Sequence, residues 1–171
     1  MKRTSLGLFL AGTLLASSVN AHAASLPVDT LDGDPTSVPD GLAAGPKLLV
    51  IAFSKAARKQ TDDWDAHLAA LCKGGKLNCY DVAVVEGMPS FVMDMAIGRM
   101  RDKVPASERD HHLLAMKGTA DWQQLAAAST APGDDAYLVL LGADGAVRWR
   151  THGPWVAAGE AELNNALKTA P

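Results

Sequence analysis

The sequence predicts an α/β domain whose mixed sheet is covered by helices on both faces. The segment KLLVIAF, from Lys47 to Phe53, is a continuous apolar run, as in a strand that helices cover on both faces. A helical pattern and a second strand pattern follow it, which is the order of a parallel strand pair. Near the C-terminus, two strand patterns flank Asp144 and Gly145, a pair typical of a tight hairpin turn.

Residues 1–23 are predicted to be a cleavable secretory signal peptide. A basic pair at Lys2 and Arg3 precedes an apolar run from Leu6 to Leu15, and Ala21-His22-Ala23 forms a cleavage box. The apolar run is shorter than the roughly 20 residues that a membrane-spanning helix needs. We therefore expect a periplasmic or secreted protein with no membrane span in the mature chain.

Length and charge favour one domain and exclude one class of partner. Removing the predicted signal from the 171 residues leaves 148, enough for a single domain with its own core. The signal takes two of the 16 basic residues, so 14 face 19 acidic ones and the net charge moves from -3 to -5. Nucleic acid is not an expected partner, because it selects a basic face.

The mature chain is predicted to begin with a lead-in, followed by one domain over residues 47–171. Residues 24–46 are rich in Pro, Asp, Gly and Ser, which predicts an irregular or weakly hairpin-like segment. The strand from Lys47 to Phe53 is placed at the centre of the sheet. In the helix after it, Trp64, Leu68 and Leu71 share one face, and a Gly-Gly pair ends it.

A further helix is predicted as an insertion after the second strand, NCYDVAVVEG. It starts near Pro89, and Phe91, Met95, Ile97 and Met100 are expected to make its apolar contacts. HHLLAM predicts a short strand, TADWQQLAAA a helix, YLVLLGADGAVRWRTHG the hairpin, and AAGEAELNNALKTA a terminal helix.

This order of elements resembles that of thioredoxin-like proteins, from Lys47 to the C-terminus. Phe53-Ser54 and the triplet Val147 to Trp149 are similar to the branch that includes mitochondrial ATP-synthase assembly chaperones and their bacterial relatives. The resemblance implies a thioredoxin-like fold with a central mixed sheet, helices on both faces and an inserted helix after the second strand. Because these motifs are mostly core positions, they indicate fold before function.

The redox site of that family is missing from the sequence. Redox thioredoxins carry Cys-x-x-Cys at the start of the first helix, where the helix dipole stabilises a thiolate. This chain has SKAARKQT there, and GDDA where a cis-proline would precede the third strand. No catalytic residue is therefore predicted.

Cys72 and Cys79 are predicted to form a structural disulfide. They are an even pair at short separation in an exported chain. A disulfide closing this short loop is expected to stabilise the fold by about 2–3 kcal/mol. Two alternatives stay open at this point. In the first, the pair is the redox-active site of a divergent thiol-disulfide oxidoreductase. In the second, both thiols are free.

The methionines and histidines are not predicted to bind a metal. Met88, Met93, Met95 and Met100 suggest a periplasmic copper-binding protein as a further alternative, because thioethers bind Cu(I). Met93 and Met95 lie about 200° apart on a helix, however, so core filling is the favoured interpretation. Adjacent histidines at 111 and 112 point to opposite faces of a strand, and His67 and His152 stand alone in the sequence.

We therefore expect a non-catalytic protein without a cofactor that binds an envelope protein partner. An assembly factor or chaperone of the cell envelope is the role that the resemblance implies. The side chains expected to contact the partner lie in the segment that lacks the cysteines and in two groups of arginines. They are Ser54, Arg58, Trp64, Arg99, Arg101, Arg148 and Arg150.

Overall fold

A computed structural model describes residues 25–75 and 77–169, so the predicted signal peptide lies outside the described residues. The described residues form one seven-stranded mixed sheet with α-helices on both of its faces. The strands are β1 (Leu26–Thr30), β2 (Pro35–Val38), β3 (Lys47–Ala52), β4 (Asn78–Val84), β5 (His112–Ala115), β6 (Ala136–Leu141) and β7 (Val147–His152). The α-helices are α1 (Arg58–Lys73), α2 (Ser90–Arg101), α3 (Thr119–Ala126) and α4 (Ala157–Thr169), and a 3-10 helix spans Ala106–His111.

The strands are ordered β2-β1-β5-β4-β3-β6-β7, with β3 inside the sheet. β3 pairs in parallel with β4 and antiparallel with β6, so the predicted parallel pair and the predicted position of the apolar strand are confirmed. β6 and β7 form the predicted antiparallel hairpin around Asp144 and Gly145. The predicted α/β class, with a central mixed sheet and helices on both faces, is confirmed.

The two faces of the sheet carry separate apolar cores. Alternation along β3 sends Leu48 and Val50 to one face and Leu49 and Ile51 to the other. α1 and α4 cover the first face, and α3 covers the second. Each face of a buried strand therefore meets a helix, which is why the sequence of β3 has no polar alternation.

The lead-in belongs to the sheet. β1 pairs antiparallel with β2 and also with β5, so the irregular part of the expectation for residues 24–46 is corrected and the hairpin-like part is confirmed. Leu26 and Val28 are buried, whereas Pro27 between them is exposed. This alternation is only two apolar residues long, so the strand pattern is weak.

Within residues 25–75 and 77–169, no helix is long and apolar enough to cross a membrane.

Candidate functional site

Ser54 makes two hydrogen bonds just before α1, at the place where redox thioredoxins carry their cysteines. The Ser54 hydroxyl accepts a hydrogen bond from the Ala57 amide at 3.2 Å and donates one to Asp134 Oδ1 at 3.1 Å. Ala57 itself is fully buried. The segment therefore presents a capped turn with no nucleophilic thiol.

A polar network connects α1 to β6 and β7 beside this turn. Gln60 Oε1 accepts a hydrogen bond from the Ala136 amide at 3.0 Å, and Gln60 Nε2 donates to Asp135 Oδ1 at 3.4 Å. His152 Nδ1 lies 3.0 Å from Asp135 Oδ2. His152, expected to stand alone, thus has a carboxylate partner, which sequence spacing did not show. The network ties both oxygens of Asp135 to neighbouring elements.

The second candidate site is at the other end of α1, where Cys72 and Cys79 form the predicted disulfide. Their Cα atoms are 5.6 Å apart, and the bond links the end of α1 to the start of β4. Neither cysteine is free, so the alternative of two free thiols is wrong for this structure.

An open pocket of about 170 Å³ lies beside this disulfide. α1 supplies one wall, and β4 together with the end of the 3-10 helix supplies the other. We call it the disulfide pocket, and its lining residues are Asp65, Ala69, Cys72, Lys73, Cys79, Asp81 and His111.

Asp65 in this pocket holds its proton at neutral pH. Burial raises its pKa to about 8, and the negative charges of Asp81 and Asp62 and a hydrogen bond with Asp81 act in the same direction. His112 opposes the shift through its positive charge. The raised pKa of Asp65 therefore follows from its burial and from the carboxyl groups packed around it.

His112 completes the cluster on the neighbouring strand. Its Nδ1 lies 3.1 Å from Asp81 Oδ2. Burial opposes the charge on His112, but the hydrogen bond and the negative charge of Asp81 outweigh it and raise the pKa of His112 above its ordinary value. Asp81 thus contacts His112 on one side and Asp65 on the other. The adjacent histidines diverge as expected, since His111 Nδ1 bonds instead to the Cys79 carbonyl at 2.8 Å.

The third candidate site is the outer surface of α2. None of its twelve residues, all of them described by the structure, is buried. Phe91 is 69% exposed and Met95 53% exposed, so the expectation that these two side chains make core contacts is wrong. We use the name α2 face for the exposed apolar residues Met88, Phe91, Val92 and Met95.

Core filling is also wrong for part of the methionine cluster. Met88 and Met95 are exposed, whereas Met93 and Met100 are half-buried on the inner side of α2. Together with Ala96 and Ile97, these two methionines form the half-buried inner side of α2 at helical spacing. Because Met93 and Met95 face different sides, their thioethers do not converge on one ion, which the copper-binding alternative requires.

The predicted arginines do not form one basic patch. Arg101 Nε donates to the Leu31 carbonyl at 2.7 Å, next to the end of β1. Arg148 and Arg150 lie on β7, five strand spacings or about 24 Å away. Both of them have internal partners, Asp144 for Arg148 and the Leu125 carbonyl for Arg150.

Two more of the predicted contact residues have internal partners. Arg58 is exposed and lies 3.5 Å from Asp62 of the next helical turn. Trp64 is 1% exposed, and its Nε1 donates to the Gly153 carbonyl at 2.9 Å. The expectation that Trp64 contacts a partner is therefore corrected, because the indole belongs to the core under α1 and α4.

Comparisons with known proteins support the fold. The sequence matches no protein family model and no curated protein. Among solved structures, it is similar to BsSco, a member of the Sco family of cytochrome c oxidase assembly proteins, at 15% identity and a TM-score of 0.59, covering 89% of this chain and 94% of that one. A putative electron transfer protein from Aquifex aeolicus VF5 has 12% identity and a TM-score of 0.64, with coverage of 90% and 99%.

A thiol:disulfide interchange protein of the thioredoxin family from Chlorobium tepidum TLS is also similar. It has 15% identity and a TM-score of 0.52, and the alignment covers 91% of this chain and 99% of that one. At these identities the similarity shows the thioredoxin-like fold and leaves function to the site itself.

Proposed function

We propose that this chain is an exported thioredoxin-like protein that acts by binding a protein partner through the α2 face, without redox catalysis at the start of α1. The observation that carries the proposal is the exposure of three large apolar side chains on a helix with no buried residue, together with that of Met88 just before it. Exposed apolar patches on soluble domains mark interaction sites, and Phe and Met are enriched in such interfaces.

The cellular role that we propose is an assembly factor or chaperone of the cell envelope. The N-terminal pattern of a signal peptide and the Cys72–Cys79 disulfide support export to an oxidising compartment. The resemblance to ATP-synthase assembly chaperones supports the role, as does the similarity to BsSco, whose family assembles cytochrome c oxidase. Methionine on the α2 face suits this role, because its flexible thioether adapts to different contacts.

Site-specific photo-crosslinking tests the α2 face. A photoreactive side chain at Phe91, in the full chain expressed in its own cells, is expected to give a discrete adduct with one partner. A second substitution, Met95→Ser, is expected to reduce the adduct at least several-fold, because it removes apolar contact area without disturbing the core. The measurement is the adduct yield on denaturing gels.

The matched control is the same photoreactive side chain at Asn164, which is exposed on α4. An adduct at position 164 with the same mass and yield, or an adduct at 91 that Met95→Ser leaves unchanged, would contradict the assignment of the α2 face.

A second candidate function is thiol-disulfide exchange at the disulfide pocket. The observation that favours it is that Cys72 and Cys79 line an open pocket together with Asp65, whose carboxyl holds a proton near neutral pH. Against it, Cys72 lies at the C-terminal end of α1, where the helix dipole raises the pKa of a thiol and disfavours the attacking thiolate.

Insulin reduction with dithiothreitol separates the two functions. We expect wild type and the Cys72→Ser, Cys79→Ser double variant to reduce insulin at the uncatalysed rate, since no thiol lies at the start of α1. Turbidity of the precipitating insulin B chain reports the rate. Acceleration by wild type that the double variant loses would establish the oxidoreductase in place of the non-catalytic protein.

A further inference from the structure

The outer surface of α2 continues from apolar to cationic along one line. Phe91, Met95, Arg99 and Lys103 follow one another at intervals of four residues, so they form a single stripe along the helix and the turn that follows it. All four are exposed. Backbone bonds from Lys103 and Val104 to the Met100 carbonyl continue the helical path as far as Lys103.

Within residues 25–75 and 77–169, the two cations of this stripe have no internal partner. Among the described residues, Arg99 is the one arginine for which the structure records neither an ion pair nor a side-chain hydrogen bond, and Lys103 has neither. Asp94 on α2 and Asp102 directly after it are exposed but form no ion pair with them in the described part of the chain. Proximity to the helix C-terminus favours a positive charge there, but no side chain or carbonyl of the described segments accepts from Arg99 or Lys103.

We propose that the α2 face binds an amphipathic helical segment of another protein whose apolar residues cover Phe91 and Met95 and whose acidic residues face Arg99 and Lys103. This inference rests on the proposed function and names the chemistry of its partner. A helix of the partner can contact α2 through side chains three and four residues apart, with its carboxylates one to two turns beyond its apolar contacts. The guanidinium of Arg99 offers such a carboxylate a bidentate pair.

The charge pattern of the stripe disfavours a second copy of this chain as the occupant. In a parallel pair of α2 helices, Arg99 and Lys103 of the two copies would face each other. In an antiparallel pair centred on the stripe, they would face Phe91 and Met95 of the other copy. Neither arrangement places a carboxylate of the stripe opposite the cations, because the stripe itself contains none.

An anionic bilayer is also a poorer occupant than an acidic protein segment. The stripe supplies two cations, and an interfacial helix that docks on lipid usually carries a stronger cationic face.

The test compares two fluorescently labelled helical peptides that share one apolar face and differ at the C-terminal end, where one has three Glu and the other three Lys. Anisotropy titration against the purified chain at low salt is expected to show about three- to tenfold tighter binding of the glutamate peptide, the range of two exposed ion pairs. Phe91→Ser with Met95→Ser is expected to abolish binding of both peptides. Arg99→Glu with Lys103→Glu is expected to reverse the preference.

The matched charge control is Lys55→Glu with Lys59→Glu. Both lysines are exposed, one just before α1 and one in its first turn, and this variant is expected to keep the preference of wild type. Equal affinities for the two peptides, an unchanged preference after the Arg99 and Lys103 swap, or binding of phosphatidylglycerol vesicles without peptide binding would overturn the inference. If the adduct at Phe91 forms but the charge preference is absent, this inference fails and the proposed function stands. If the adduct is also absent, the proposed function fails with it.

Discussion

Trp64→Ala is expected to lower the free energy of unfolding by about 3–5 kcal/mol, the range for truncation of a large buried aromatic side chain. The indole is 1% exposed and packs between α1, α4 and the sheet, where Leu68 and Leu163 belong to the same core. The variant also leaves the Gly153 carbonyl without its 2.9 Å hydrogen bond. Since single domains are stable by about 5–15 kcal/mol, this one change is expected to remove a large part of the total.

Denaturant titration followed by circular dichroism measures this loss, with Phe91→Ala as the matched control. Phe91 is 69% exposed, so its truncation is expected to change the free energy of unfolding by less than about 0.5 kcal/mol. The two variants thus separate a structural aromatic from a binding aromatic. A Trp64→Ala variant as stable as wild type would contradict the place of Trp64 in the core.

The contrast between Trp64 and Phe91 shows what the sequence could predict. The order of elements, the buried strand β3 and the β6–β7 hairpin follow from local periodicity and turn residues, and the structure contains all of them. Periodicity also marks Trp64 and Phe91 alike as apolar helix positions. It does not say which apolar side meets the sheet when a helix has apolar residues on both sides, as α2 has.

The disulfide pocket shows a second limit of sequence reasoning. Cys72 and Cys79 are close in sequence, so their pairing could be predicted. Asp65 and Asp81 are on different elements and meet at the disulfide pocket between α1 and β4, and no motif joins them. The sequence does place one carboxylate next to Trp64 in an amphipathic helix pattern and another within the strand pattern NCYDVAV. A carboxylate inside an apolar pattern is the sequence feature that could have indicated such a site.

Asp65, with its raised pKa, makes the stability of the fold depend on pH. The folded pKa of about 8 lies above the ordinary value of 3.8, so the folded state keeps a proton that the unfolded state releases. The stability from this group is fully present below pH 3.8 and is lost as pH rises towards 8, with a slope of up to about 1.4 kcal/mol per pH unit. The raised pKa of His112 acts in the same direction, since its stabilising charge is lost as pH rises through its folded pKa.

Two other carboxyl groups make the stability of the fold depend on pH in the opposite direction, at acid pH. Hydrogen bonds from Thr119 lower the pKa of Glu86, and a hydrogen bond from the Ala146 amide lowers that of Asp144. Their stabilising contributions are present above their ordinary pKa values and are lost as pH falls through the lowered ones. Between pH 6 and 9 both are ionised in either state, so they add no slope in that window, whereas Asp65 and His112 do.

The melting temperature of wild type is therefore expected to fall as pH rises from 6 to 9, and Asp65→Asn is expected to flatten this dependence. The amide keeps the shape of the carboxyl group and cannot ionise, so at pH 9 the variant is expected to melt at a higher temperature than wild type. Asp94→Asn, at an exposed position of α2, is the matched control and is expected to follow the wild-type profile. A wild-type melting temperature that stays constant or rises between pH 6 and 9, or an Asp65→Asn profile as steep as that of wild type, would show that Asp65 is already ionised in the folded protein.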